Sequence, residues 1–396
     1  MTTGLVYVLR AFPCLSETFV RREIEAVRAA GTHVSVIALG RGEGADLVDG
    51  VTPPEGRPPV AYVGAGSAVP LRHPCGPWAR AVGKDLTRLA ARPRRAARAA
   101  RLALQALRAA SAVPPGTTRL HAHFANDAAA LARYTGALTG LPYTVTAHAW
   151  DIWRDPFLLA PNLAGAARVF TVSRANLEHL REGAAAGGWD RDRLELLHCG
   201  VDLAALAYRD PSPLTGRAAR LVCVARLVPK KGHDLLLDAF ERLRARGVQA
   251  ELLIAGDGSE SANLRARVAA SPAAPSVRLL GAVEPARALE LIASADLCVL
   301  AARVARDGDR DGLPVALIEA AALGPTLVAT KVGGIPELVT PATGWLVPPD
   351  DAAALAAGLH AALSAPHDDR LRRARAARRL VEAEFDLRRQ AERIAR

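Results

Sequence analysis

The sequence lacks most of what would make a chain disulfide-stapled, fibrous or membrane-spanning. Its five cysteines (Cys14, Cys75, Cys199, Cys223 and Cys298) are odd in number, far apart and form no CxxC pair. That argues against a disulfide framework or a zinc site and for a reducing compartment. No uninterrupted apolar run reaches the roughly 18 residues that a bilayer-crossing helix needs. Residues 1–9 lack the basic start and long apolar stretch of a secretory signal, so the expected location is cytoplasmic. Fixed-period repeats and low-complexity tracts are absent, which excludes solenoid and collagen-like folds. Lysine is scarce: only Lys84, Lys230, Lys231 and Lys331 contribute to the 51 cations. Beside the abundant alanine, this arginine bias reads as codon usage, so the formal net charge of +11 carries little weight by itself.

Its distribution says more. Between residues 79 and 110 stand nine cations (Arg80, Lys84, Arg88, Arg92, Arg94, Arg95, Arg98, Arg101 and Arg108) against one anion, Asp85. The stretch is helical in composition, with Pro93 interrupting it. Nucleic-acid binding would call for aromatics interleaved with the cations, and this stretch has none. Two readings stay open: a solvated basic helix, or a surface that rests on an anionic membrane at the inner face of the plasma membrane.

At 396 residues, half of them hydrophobic, the chain exceeds one ordinary core and two domains are expected. Short apolar runs alternate with helix-period segments. Leu5–Leu9 and His33–Leu39 read as strands around a helix opened by Ser16, with Val20, Ile24 and Val27 on one face and Gly31 closing it. Strands follow at 119–124, 143–147 and 169–172, with a helix over 126–139 that ends at Gly140. A Pro- and Gly-rich loop over 210–216 marks a boundary, and the alternation restarts. Strands at 221–225, 251–255, 277–281, 297–300 and 326–330 alternate with helices from 233 and 261 and over 285–294, 314–323 and 351–363. The expected organisation is an N-terminal domain over 1–208, a C-terminal domain over 209–368, and a charged helix over 369–396 that returns to the N-domain. The fold class is α/β, with two doubly wound, parallel-sheet domains facing across a cleft. Open sheets of this kind bind ligands at the carboxyl ends of their strands.

Two segments carry chemistry at such strand ends. In Val224-Ala-Arg-Leu-Val-Pro-Lys-Lys-Gly-His-Asp234, Arg226 and Lys231 lie in the short loop between a buried strand and a helix, where two cations and free backbone N–H groups make an anion site. The plain alternative is an ordinary loop with solvated cations. In Asp307-Gly-Asp-Arg-Asp-Gly-Leu-Pro-Val-Ala-Leu-Ile-Glu319, Asp311 and Glu319 straddle a helix start at Pro314. Carboxylates so placed can hold sugar hydroxyls, and a capped surface helix is the alternative. Asp307, Asp309 and Asp311 also resemble a magnesium cluster. Because cations already offset a diphosphate here, no metal is expected. Val63-Gly-Ala-Gly-Ser-Ala-Val69 starts like a dinucleotide fingerprint but lacks the third glycine.

Taken together, the Arg226/Lys231 pair, Ala255-Gly-Asp-Gly258, the Asp311/Glu319 spacing and Gly333-Gly-Ile-Pro-Glu-Leu338 resemble family-4 retaining glycosyltransferases of GT-B fold. Phe12-Pro-Cys-Leu-Ser-Glu-Thr-Phe19 and Asp307–Pro314 are similar, more narrowly, to colanic-acid and exopolysaccharide enzymes. The resemblance implies a nucleotide-sugar donor as co-substrate and no other cofactor. It implies as catalytic residues Arg226 and Lys231, which neutralise the departing diphosphate, Asp311 at the donor sugar, and His148, in Thr146-Ala-His-Ala-Trp-Asp151, near the transferred sugar. It implies Glu319 on the ribose, Gly312 and Leu313 on sugar and phosphate through their backbone, and Gly256 in the donor site. The family usually carries glutamate where this chain has Asp311, one methylene shorter. His121 and His123 share one strand face with His148 nearby; a metal trio is conceivable, and the two strand histidines are read as structural. Ser16, Glu17 and Thr18 are candidates for acceptor binding or for helix capping. The acceptor is a glycan, a lipid-linked sugar or a small molecule; a binding protein without catalysis is the competing class.

Overall fold

A computed structural model describes residues 4–43, 45, 58–64 and 75–396. The chain divides into two compact units, Met1–Leu197 with Arg388–Arg396, and His198–Leu387.

The N-terminal unit is built on seven parallel strands: β1 (Gly4–Ala11), β2 (His33–Gly40), β3 (Val60–Tyr62), β4 (Thr117–His123), β5 (Tyr143–Ala147), β6 (Arg168–Thr171) and β7 (Leu194–Leu196). Their order is β3-β2-β1-β4-β5-β6-β7, with every described pairing parallel. The C-terminal unit has six: β8 (Ala219–Val224), β9 (Ala250–Ala255), β10 (Val277–Gly281), β11 (Leu297–Leu300), β12 (Thr326–Thr330) and β13 (Trp345–Val347), in the order β10-β9-β8-β11-β12-β13. Strands covered by helices on both faces have no solvent side, and β5, β11 and β12 are buried at every residue and carry no charged side chain.

In both sheets the chain first winds outward from the leading strand and then returns to its other side. The winding therefore reverses between β1 and β4, and again between β8 and β11. At such a reversal the loops diverge and leave a crevice at the carboxyl edge. Local chemistry fixes the elements around it. Gly140 takes a left-handed conformation behind the helix Asp127–Thr139, as its expected stop role requires. Asp351 caps Ala352–Ser364 by accepting from Ala354 N at 2.8 Å. Pro93 separates Gly76–Arg88 from Pro93–Ala112, the two helices of the basic stretch.

Three features differ from the sequence-based expectation. The α-helix behind β1 starts at Thr18, after a 3-10 turn over Leu15–Glu17, rather than at Ser16. The passage between units falls at 197/198 rather than 208/209, because Val201 and Leu206 are already buried in the C-terminal core ahead of the Pro-rich loop. The terminal helix is two helices, His367–Glu384 and Leu387–Ala395. It breaks where Phe385 is buried in the C-terminal core and Asp386 bridges to Val201. Ala391 and Ile394 of the last helix are buried with Leu5, Tyr7 and Val27 in the N-terminal unit.

Candidate active site

In the C-terminal unit the loops after β8 and β11, the two strands flanking the reversal, meet through lysine–aspartate pairs. Lys231 Nζ donates to Asp311 Oδ2 at 2.8 Å, and both side chains are about nine-tenths buried. Burial lowers the pKa of the Lys231 ammonium, and Asp311 offsets only part of that. Burial pushes the Asp311 carboxyl up, but Lys231 and Lys230 outweigh it and the net shift is downward. Arg226, exposed in the same loop, adds to the positive field at both groups. The two motifs picked out in the sequence thus converge, and Lys231 faces inward.

Glycines make that convergence possible. A Cβ on Gly256 would lie 1.9 Å from the carbonyl oxygen of Ala225, and one on Gly232 2.0 Å from that of Ala301. Both have positive φ, a conformation that suits glycine. Gly333 approaches the carbonyl of Asp311 as closely, and Gly334 N donates to the carbonyl of Gly312, so the Gly-Gly motif after β12 buttresses the Asp311–Leu313 backbone. Pro314 precedes the helix Val315–Leu323, inside which Glu319 is buried. A cavity of about 700 Å³ in this unit has Val228, His233, Asp234, Arg267, Arg303 and Asp307 on its wall, whereas Lys231, Asp311 and Glu319 are not part of that lining.

The N-terminal unit carries its own cluster at the carboxyl edge of β4 and β5. His148 follows β5 and is buried, with its ring centroid 4.4 Å from that of Phe124 and 5.2 Å from that of Phe19. Its backbone N–H donates to Asp151 at 2.8 Å, and Asp151 also accepts from Ala125 N, tying the ends of β4 and β5 together. Burial raises the Asp151 carboxyl to about 7 against those donors. Glu17 and Thr18 lie at the helix start beside Phe19; the Ser16 side chain lies outside the described residues, as do residues 65–69 of the glycine segment.

The family described as "Glycosyl transferases group 1" matches residues 207–380, and "Glycosyltransferase Family 4" matches residues 16–205. The two glycosyltransferase models thus lie end to end along the chain. It is 34% identical over 182 residues to WcaL of Salmonella typhimurium, named as a colanic acid biosynthesis glycosyltransferase, covering 46% of this chain and 45% of that one. It is 38% identical over 168 residues to AmsK of Erwinia amylovora, an amylovoran biosynthesis glycosyltransferase, covering 42% and 41%. The chain therefore spans under half the length of the curated relatives it matches. Anabaena HepE, solved in complex with UDP-glucose, superposes with a TM-score of 0.74 at 17% identity, covering 100% of this chain and 98% of that one, which shows a shared GT-B fold.

Two groups escaped sequence reasoning. Lys230, given no role from the sequence, is buried and donates to Asp309 Oδ1 at 3.0 Å and the Arg310 carbonyl at 3.3 Å, while its own carbonyl accepts from Arg303 N. Asp309 thus faces a lysine, as Asp311 does. The signal was available as a second Lys–Asp pair at nearly the same separation. His123, read as structural, is hydrogen-bonded to His148 at 3.1 Å, which no spacing rule reveals. Among the described residues no helix is long and apolar enough to cross a membrane.

Proposed function

We propose that this protein is a glycosyltransferase that moves a hexose from a nucleoside-diphosphate sugar to an acceptor hydroxyl with retention of configuration, in exopolysaccharide or cell-envelope glycan assembly. The observation that carries the reading is the Arg226–Lys231–Asp311 cluster at the β8/β11 reversal. Glycosyl transfer passes through an oxocarbenium-like state while negative charge grows on the leaving phosphate. Cations fixed at that phosphate stabilise the transition state more than the ground state. An ammonium has three N–H donors, and Asp311 takes one from Lys231, so the group can stay anchored while the others meet phosphate oxygens.

In this reading Asp311, with the backbone of Gly312 and Leu313, holds the donor sugar and its phosphate. Glu319 grips the ribose, and Gly256 lets the nucleotide approach the backbone. His148 lies at the transferred sugar, and Ser16, Glu17 and Thr18 serve the acceptor. The diphosphate itself takes the acceptor proton, and Arg226 and Lys231 make a metal unnecessary. The names of WcaL and AmsK favour a glycan or lipid-linked acceptor over a small metabolite. Exposed Arg80, Lys84, Arg88, Arg92, Arg94 and Arg101, with Leu104 exposed among them, support contact with an anionic membrane at the cytoplasmic face. The test is nucleoside diphosphate release from a panel of UDP-, GDP- and dTDP-sugars, with and without chelator. Lys231→Ala is expected to lower kcat by roughly 10²–10³, the cost of one preorganised donor. A folded Lys231→Ala that turns over at the parent rate would refute the assignment.

A further inference from the structure

Behind His148 stand residues to which the proposed function gives no part. His148 Nε2 lies 3.1 Å from Nδ1 of His123 on β4, and His123 Nε2 lies 2.8 Å from Oε1 of Glu23 on the helix Thr18–Ala29. Tyr7 on β1 donates its hydroxyl to the same carboxylate oxygen at 2.9 Å. Three elements thus supply one buried chain of hydrogen bonds ending at the histidine beside β5.

Counting protons fixes its direction. Burial, then the charge of Glu23, holds the Tyr7 phenol well above its usual pKa, so Tyr7 keeps its proton and donates. A carboxylate only accepts, so Nε2 of His123 donates to it as well. With one proton on each ring, His123 has a lone pair at Nδ1, and the 3.1 Å contact takes Nε2–H of His148 as donor. Burial holds the His148 pKa well below the ordinary range, so that ring is neutral. With its one proton on Nε2, its Nδ1 is a lone pair, and that nitrogen has no hydrogen-bond partner among the described residues.

We infer that Glu23 holds a singly protonated His123, and that the two are positioning residues that fix His148 as its Nε2–H tautomer, so that Nδ1 accepts a hydrogen bond from a substrate hydroxyl. The identity of that hydroxyl, on donor sugar or acceptor, rests on the proposed function. The surroundings favour a fixed ring. Phe124, packed on His148, has φ of 75°, a region that a bulky residue occupies only under constraint, and such strain gathers at functional sites. A cation held by Glu23, His121 and His123 is the competing arrangement, since their ligand atoms lie within 4.8 Å of one another. Both ring nitrogens of His121, however, are engaged by threonines, Nδ1 with Thr144 at 2.7 Å and Nε2 with Thr146 at 3.1 Å. Binding a metal at His121 would break at least one of those bonds.

The test uses the full-length chain labelled with 15N-histidine, the His148 signals being identified by their loss in His148→Gln. The parent protein should show His148 protonated at Nε2 and bare at Nδ1. Glu23→Leu removes the acceptor that orients His123, and should populate the reversed pair, with the His148 proton on Nδ1. In the same variant kcat should fall roughly 10- to 100-fold, the scale of losing a partner behind a functional histidine, with donor KM within about threefold. Glu23→Gln keeps an acceptor oxygen and should restore both the tautomer and kcat to within about threefold. A parent His148 protonated at Nδ1, an equal kcat loss in Gln and Leu variants, or stoichiometric metal in the purified protein would each overturn the inference. The expected nitrogen spectra with no turnover of any donor would instead refute the proposed function and leave the relay standing.

Discussion

Replacing Lys231 with methionine removes a charge without opening a hole, so its effect isolates the pair with Asp311. At an effective dielectric of about 20, unit charges at the observed 2.8 Å attract by about 6 kcal/mol. Most of that is offset by the cost of taking two ions out of water, so the pair itself adds little net stability. Removing one partner is different, because the desolvation of the other is left uncompensated, typically about 3–5 kcal/mol. Two features limit the loss here. Lys230 Nζ remains 3.7 Å from Asp311. The orphaned carboxyl can also take a proton, which from an ordinary pKa near 3.9 costs about 4 kcal/mol at pH 7 but only about 1.5 kcal/mol at pH 5. The expected destabilisation is therefore about 2–4 kcal/mol at pH 7, shrinking to at most about 1.5 kcal/mol at pH 5. The sign follows from Asp311. In the parent its pKa is depressed, so its contribution is present throughout this window and is lost only at lower pH. In the variant its folded pKa rises above the unfolded one, so stability falls as pH rises from about 4 towards 7. Native-state hydrogen exchange on peptides from β8 and β11 reads the loss, and adding Asp311→Asn should recover at least half of it. An equal cost at both pH values, or a double variant as unstable as the sum of the singles, would refute this account of the pair.

Asp85 is the matching case in the N-terminal unit: fully buried, it accepts from Tyr134 Oη at 2.7 Å and from Arg133, whose side chain is also largely buried. Asp85→Ala should cost about 3–5 kcal/mol in urea unfolding, and a loss under 1 kcal/mol would show that the guanidinium finds water instead. On the basic face, the protein should sediment with phosphatidylglycerol vesicles at low salt and not with neutral ones. Arg88→Ala with Arg92→Ala should weaken that binding by about 2 kcal/mol, and binding indifferent to salt or to lipid charge would dismiss the membrane reading.

The sheets were readable because short β-branched and apolar runs bounded by turn residues recur between helix-period segments. Tyr143–Ala147, Val277–Gly281, Leu297–Leu300 and Thr326–Thr330 are found where that pattern puts them. The three-residue strands Val60–Tyr62, Leu194–Leu196 and Trp345–Val347 were not, since three residues set no period and the register comes from the neighbouring strand. In the site, residues on adjacent strand-end loops were legible because topology alone brings Lys231 to Asp311. The pairing of His123 with His148 depends instead on rotamers and on Glu23 reaching across from a helix, which no one-dimensional pattern records. The break at Phe385 was hidden for a similar reason: the charge pattern continues through it, and only a tertiary contact stops the helix.

The return of residues 388–396 to the unit in which the chain starts means that 198–387 is, in topological terms, an insertion. Severing the polypeptide near residue 197 would not yield a whole amino-terminal half. Such a fragment would leave the buried places of Ala391 and Ile394 unfilled beside Leu5 and Tyr7, and would forfeit the hydrogen bond from the Arg119 guanidinium to the Ile394 carbonyl. A faithful amino-terminal piece needs both stretches of sequence, joined by a short bridge or supplied together.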